Sequence, residues 1–377
     1  MQKKIVALAV AAAFSAPAFA DSNVVVYGKL SADVESVRAS AVNGAANVNP
    51  TSRSRVSSNA SRFGIKGSED VADGLQAIYQ VETRLNLAGN EAASATNAGT
   101  ASIFNGLRNS NVGLKGGFGT LFVGHWDTPF KSAHNKVELF DNTTIATTTA
   151  LLGNPGTGTN FNQRYNSSIQ YWSPDMNGFQ VKLDYSTANT IANTSANQKP
   201  NLFSLSAAYD ANGIYAAYAY EQHKDLRWNG TALAGQGLGE KGHRAVLGYS
   251  FGDATIGATY EQLTVDTGVV AGAVQNTKRK AAEVSGSYKF GSSSIGAAYA
   301  KVGTFGTIQG ATQASLRYGY NFSKRTELFA LYTQISNKGT VGAATASNYN
   351  FVDVPAFTGA ARGSKVSGFG LGVQHSF

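Results

Sequence analysis

The sequence predicts an all-β chain: a transmembrane antiparallel up-and-down β-barrel of about sixteen strands with short periplasmic turns and long external loops. Three observations carry that prediction. Apolar and polar residues alternate with period two over segments of about 9 to 13 residues, longer than the usual 5 or 6 and close to what a tilted transmembrane strand requires. No segment beyond the first residues approaches the roughly 18 consecutive apolar positions of a spanning helix. The connections alternate between tight turns and long polar loops, the asymmetry expected when the two ends of a barrel face different compartments.

Composition agrees. The 377 residues include 42 Gly, 7 Pro, 17 Tyr, 20 Phe and no Cys, and only 14% are charged. Without cysteine there is no disulfide framework, so stability must come from packing or a hydrogen-bonded sheet. The aromatic content argues against disorder. The formal net charge of +8 falls to +6 if Lys3 and Lys4 are removed. A modest basic balance suits anionic membrane surfaces or anionic solutes, and no arginine-rich run points to nucleic acid.

Taken in order, the chain opens with the pattern of a cleaved signal peptide over 1–20. Met1-Gln2-Lys3-Lys4 is a basic start, Ile5 to Phe14 is apolar or small, and Ala18-Phe19-Ala20 is an A-x-A site that leaves Asp21 as the new first residue. A barrel is then expected over 21–377, starting with strands at 23–35, 55–68, 75–87 and 107–117. In 75–87, Leu75, Ala77, Tyr79, Val81, Thr83, Leu85 and Leu87 share one face and Gln76, Gln80, Glu82, Arg84 and Asn86 the other. Phe179, Val181, Leu183 and Tyr185 alternate with Gln180, Lys182, Asp184 and Ser186. The same holds for Ala282 to Phe290 against Glu283 to Lys289, and for Ala314 to Phe322 against Gln313 to Asn321. Aromatics such as Tyr288, Phe290, Tyr320 and Phe322 fall near strand ends, which suits an interfacial girdle. The 325–336 segment is apolar on both faces (Phe329, Leu331 and Ile335 against Leu328, Ala330 and Tyr332) and assigns no clear inside. The last strand, 363–377, alternates Phe369, Leu371, Val373, His375 and Phe377 with small or polar residues and ends on an aromatic.

Tight turns are expected at Glu69 to Gly74, Pro174 to Gly178, Ala211-Asn212-Gly213 and Ser323-Lys324-Arg325, and long loops at 88–103, 187–200, 225–240, 267–279 and 337–362. An even strand number follows because the first and last strands must pair: an open edge in hydrocarbon leaves backbone groups unsatisfied. Sixteen strands leave an aqueous lumen, whereas eight would be filled by side chains.

Several stretches carry a resemblance: Val24 to Leu30, Ser61 to Asp70 (including Arg62, Gly64 and Lys66), Asn111 to Leu121, Gln163 to Ser168, and the final strand. In these the chain resembles the general-diffusion porins, particularly the trimeric type of neisserial and related outer membranes. The resemblance implies an outer-membrane homotrimer, each barrel with its third external loop (here roughly 126–160) folded into the lumen. It implies passive diffusion of ions and small hydrophilic solutes, with membrane lipids and the outer-membrane assembly machinery as partners and Phe377 as the assembly signal. It also implies a constriction with a basic wall facing an acidic loop. Arg62 and Arg164 match two wall arginines, and Lys66 shares Arg62's polar face by alternation. His125 stands where a third arginine is usual, while alternation alone groups it with Leu121 and Val123 on the other face. Asp127, Glu138 and Asp141 are the candidate loop acids, with Lys131 and Lys136 interspersed. Surplus positive charge in such a passage implies a mild preference for anions.

Other readings have less in their favour. A barrel hydrolase needs a nucleophile and a His held by a third group, and the nearest pair, His375-Ser376, lies on opposite faces of one strand. The five histidines lack metal-ligand spacing, and no cofactor or metal is expected. A surface adhesin barrel would use its long loops. A substrate-selective channel would need an aromatic row or saturable site, which the assignable inner positions do not show.

Overall fold

The computed structural model describes residues 23–40, 51–88, 104–140, 145–154, 161–187, 200–225, 238–270, 273–306, 308–339, 349–351 and 363–377. Ala20, Asp21 and Asp141 lie outside these residues.

The described chain forms one antiparallel sheet closed on itself. β1 (Asn23–Ala39) pairs with β18 (Lys365–Ser376) from Lys29 opposite Ser376 to Ala39 opposite Val366. No strand edge therefore faces lipid. The strand segments number eighteen, but two staves are each interrupted. β2 (Thr51–Ser58) and β3 (Arg62–Ala72) both pair with β1, and β5 (Phe104–Leu107) and β6 (Ser110–Gly116) both pair with β4 (Leu75–Leu85). The barrel thus has sixteen staves. The circuit continues through β7 (Gly119–Asp127), β8 (Arg164–Trp172), β9 (Phe179–Ser186), β10 (Asn201–Ala211), β11 (Ile214–Lys224) and β12 (Gly239–Phe251). It closes through β13 (Ala254–Val270), β14 (Ala273–Phe290), β15 (Ser293–Val302), β16 (Ala311–Asn321) and β17 (Thr326–Asn337).

Tight turns occupy one end. Asn177 and Asn212 adopt φ of 57° and 54°, each followed by a positive-φ glycine, the geometry that Asn-Gly tolerates best. Just before such turns, on the outer face, the pairs Tyr249–Phe251 and Tyr288–Phe290 stack and Tyr320–Phe322 packs edge to face. They form part of an interfacial belt beside an outward band that includes Leu247, Val284, Leu316 and Leu371. One expected loop is corrected. Over 267–279, β13 and β14 stay paired up to Val270 opposite Ala273, because a segment rich in Val and Thr extends the hairpin rather than opening it.

The third loop, between β7 and β8, lies inside the barrel. It begins with the short helix α1 (Pro129–His134), capped by Thr128, whose hydroxyl accepts from the Lys131 N–H at 3.2 Å, with Pro129 in the first turn. Phe140, Ile145, Leu151 and Leu152 of the loop are buried in one apolar cluster with Val37, Ala300, Phe329, Leu331, Ile335 and Val366 of the wall. That contact explains why β17 is apolar on both faces: Leu328 and Tyr332 face outward, while Phe329, Leu331 and Ile335 receive the loop. Phe130 and Ala133 anchor the start of the loop on a second cluster with Ala219, Val246 and Leu263.

Candidate functional site

Three local breaks in strand pairing aim the polar side chains of the passage. Between β2 and β3, Ala60 takes φ 50°, and Ser61 closes the gap by accepting from the Ser31 N–H and donating to its carbonyl, both at 2.9 Å. Arg62 starts the next segment. The break between β5 and β6 sets Arg108 and Asn109, adjacent in sequence, into the same cavity. In β8, Ser167 at φ 53° inserts a bulge between the pairs Gly124–Ser168 and Trp126–Tyr165, which brings Arg164 opposite Asp127.

These residues line a polar cavity of about 420 Å³ between the wall and loop 3. Its basic side chains are Lys29, Arg62, Lys66, Arg108, Lys131 and Arg164, and its acidic ones are Glu82, Asp127 and Glu138. Six cations thus surround three carboxylates, each of which is already engaged. Glu82 accepts from Arg108 Nε at 2.6 Å and from the Tyr27 hydroxyl at 3.0 Å, with Arg62 Nε 3.9 Å away. Asp127 accepts from Lys131 Nζ at 2.5 Å and Asn109 Nδ2 at 2.9 Å, and pairs with Arg164 at 3.1 Å. Arg164 also donates to Asn109 Oδ1 at 2.7 Å. Glu138 accepts from the Phe140 N–H at 3.0 Å and from the hydroxyls of Thr147 and Thr148 at 3.2 and 3.1 Å.

Two of these groups lie on the loop rather than in the wall, and their titration reflects burial. Burial pushes Lys131 down to about 8, opposed by Asp127 and reinforced by Arg164. Burial also raises Glu138, helped by Glu283 and opposed by His134. Lys66 has no carboxylate partner among the described residues and rests over the Tyr27 ring, 5.2 Å from its centroid.

The loop is held in place on the far side by wall side chains. Arg244, fully buried, donates to the Phe130 carbonyl at 3.0 Å, to Asn162 at 2.9 Å and to Glu261 at 2.5 Å. His134 meets Glu283 at 2.9 Å, Ser285 donates to the Val137 carbonyl at 2.9 Å, and Ser315 donates to the Ala146 carbonyl at 2.8 Å.

Of the residues singled out from sequence, Arg62, Lys66, Asp127, Glu138 and Arg164 share this one cavity. His125 is not among its lining residues: it pairs with Ser110, in alternation with the outward-exposed Leu121 and Val123. Asp127 proves to be the last residue of β7 rather than part of the loop. Glu82 was readable only as a polar-face residue, and nothing in the period-two pattern pointed to Tyr27, Arg108 or Asn109. Among the described residues no group of three His, Cys, Asp or Glu side chains could hold a metal ion.

Comparison with known proteins follows the same line. Major outer membrane protein P.IB of Neisseria lactamica is 29% identical over 339 residues, spanning 86% of this chain and 91% of that protein. Outer membrane porin protein 32 of Delftia acidovorans is 28% identical over 394 aligned positions that span both chains entirely. Among solved structures, the anion-selective porin from Comamonas acidovorans superposes with a TM-score of 0.72 at 24% identity, covering 95% of this chain and all of that one. A model of the Gram-negative porins matches residues 7–340. With most of its length matched and its strands closed into a barrel around a polar cavity, the chain belongs to the Gram-negative porin family, integral outer-membrane channels for passive diffusion.

Proposed function

We propose that the cavity between Arg62, Lys66, Asp127 and Arg164 on the wall and Lys131 and Glu138 on loop 3 is the selective constriction of the channel, and that it prefers small anions. The observation that carries this reading is the imbalance of six basic against three acidic side chains, with every acid engaged by neighbours. Low-dielectric walls focus the resulting field along the passage. One structural neighbour points the same way: the Comamonas acidovorans structure is described as an anion-selective porin. The chain acts by diffusion rather than catalysis in this reading, with ions and small hydrophilic solutes as its cargo.

Assembly is part of the same proposal. The mature chain is a homotrimer exported by removal of residues 1–20 after Ala20, and Phe377 serves the outer-membrane assembly machinery as its recognition residue. A related structure, OmpT of Vibrio cholerae, is described in a trimer form.

The deciding experiment is planar-bilayer recording of refolded protein under a KCl gradient, for wild type and the Arg62→Ala/Arg164→Ala double variant. Steps in groups of three with a chloride-favouring reversal potential, lost in the double variant, are expected. A potential favouring potassium in the wild type would refute the anion preference, and an unchanged potential in the variant would move the filter elsewhere.

A further inference from the structure

The geometry points to a second, saturable solute site beneath loop 3, built for a small aromatic carboxylate. On the side of α1 facing the tight turns, a cavity of about 560 Å³ opens between the helix and the inner wall of β7 to β11. Asp127 and Asn135 border both this bay and the constriction. Its volume falls within the range of small-ligand pockets.

The lining pairs aromatic rings with an unmatched cation. Trp126 and Trp172 both border the bay, with ring centroids 6.0 Å apart, and Phe122 packs against both indoles at 5.1 and 5.2 Å. Phe122 is fully buried and locks the indoles from behind, while the indoles themselves are only partly buried. Lys182 Nζ lies 4.4 Å from the Trp172 ring centroid, and among the described residues no carboxylate pairs with it. The acids that border the bay are otherwise occupied. Asp127 is held by Lys131 and Arg164, Asp210 pairs with Lys136 at 2.5 Å, and Asp175 accepts from the Gly178 N–H at 2.9 Å. A planar ring lying beside the indoles would bring its carboxylate to Lys182, which pairs with none of the acids of the bay. A compact ion such as chloride would use the lysine but not the rings, and a neutral aromatic would use the rings but not the lysine.

The site deepens the channel reading by naming a solute class. Its test needs neither voltage nor gradient, so the two fail separately. Trp126 and Trp172 are two of the three tryptophans of the chain. In a Trp228→Phe background, indole fluorescence of the refolded protein reports on the bay. Titration with benzoate should saturate, with a dissociation constant of about 1 mM, while acetate and benzyl alcohol should each bind at least about tenfold more weakly. Lys182→Gln should weaken benzoate about fivefold to tenfold, and Lys182→Arg should keep it. Heat-modifiability on gels verifies that each variant is folded. A non-saturating benzoate response, equal binding of acetate, or benzoate binding untouched in folded Lys182→Gln would overturn the site and leave the constriction standing. Saturable benzoate binding with no chloride preference would do the reverse.

Discussion

Arg62 stands directly opposite Arg84 across the β3–β4 ladder, and on its other side it faces Lys29 of β1. Three neighbouring strands thus carry cations abreast at one level. Directly opposed like charges repel, so the arrangement needs a counter-charge. Glu82 supplies it from two residues before Arg84, on the same face of β4, where it holds Arg108 and lies near Arg62.

Glu82→Gln is therefore expected to have two opposite effects. Anion preference should rise, because one of three carboxylates leaves a passage with six cations. Stability should fall by about 1–3 kcal/mol, since Arg108 loses its charged acceptor while still nearly buried. Reversal potentials and urea unfolding of the refolded barrel check both. A variant with unchanged selectivity would remove Glu82 from the field of the passage.

Lys131 would make the proposed anion preference depend on pH. Because burial holds it down to about 8, the loop lysine is charged below that value and neutral above it. Raising the pH from about 7 to about 9 should reduce the chloride preference, and Lys131→Gln should flatten that step. Stability moves the other way. The unfolded lysine keeps its proton until about 10.5, so between about 8 and 10.5 the unfolded chain binds more protons and the fold gains stability as pH rises.

The barrel was legible because period two is enforced twice in a porin wall, by lipid outside and water inside. β9, β14, β16 and β18 therefore showed their faces in the alternation alone. Reading failed where one of those solvents is replaced. β17 looked ambiguous because Phe329, Leu331 and Ile335 face a packed loop instead of water. It failed again where the ladder breaks. Arg108 and Asn109 are consecutive yet border one cavity, because a break between two strand segments separates them from strict alternation. Arg62 follows such a break and Arg164 precedes one, and both are legible through family resemblance rather than periodicity. At His125 the two readings part: alternation groups it with Leu121 and Val123, analogy with the wall arginines puts it in the passage, and it does not line the cavity.

Arg244→Met tests how loop 3 is held. The substitution keeps side-chain bulk but removes donors to the Phe130 carbonyl, Asn162 and Glu261, leaving Glu261 to Arg279. Breaking one side of such a buried network costs about 3–5 kcal/mol. The expected readout is a lower temperature of conversion from the folded to the unfolded gel band, with noisier single-channel currents as the loop start loosens. Quiet currents with a conversion temperature equal to wild type would show that the two apolar clusters suffice.

The seam between the first and last strands gives the final prediction. Gly28 and Phe377 exchange backbone hydrogen bonds at 3.0 and 3.1 Å, which completes the closure of the barrel at its tight-turn end. A Cβ at Gly28 would run into the Phe377 ring and stand 2.9 Å from the Arg62 carbonyl oxygen. The ring can swing away, but the carbonyl belongs to the neighbouring strand and cannot, so a branched side chain must push β1 off β3 beside Arg62. Gly28→Val should slow refolding into the heat-modifiable form and destabilise it by about 1–3 kcal/mol. Gly28→Val combined with Phe377→Ala should recover only the part due to the ring. Full recovery in the double variant would mean that the Phe377 ring, not the β1–β3 contact, is what demands glycine there.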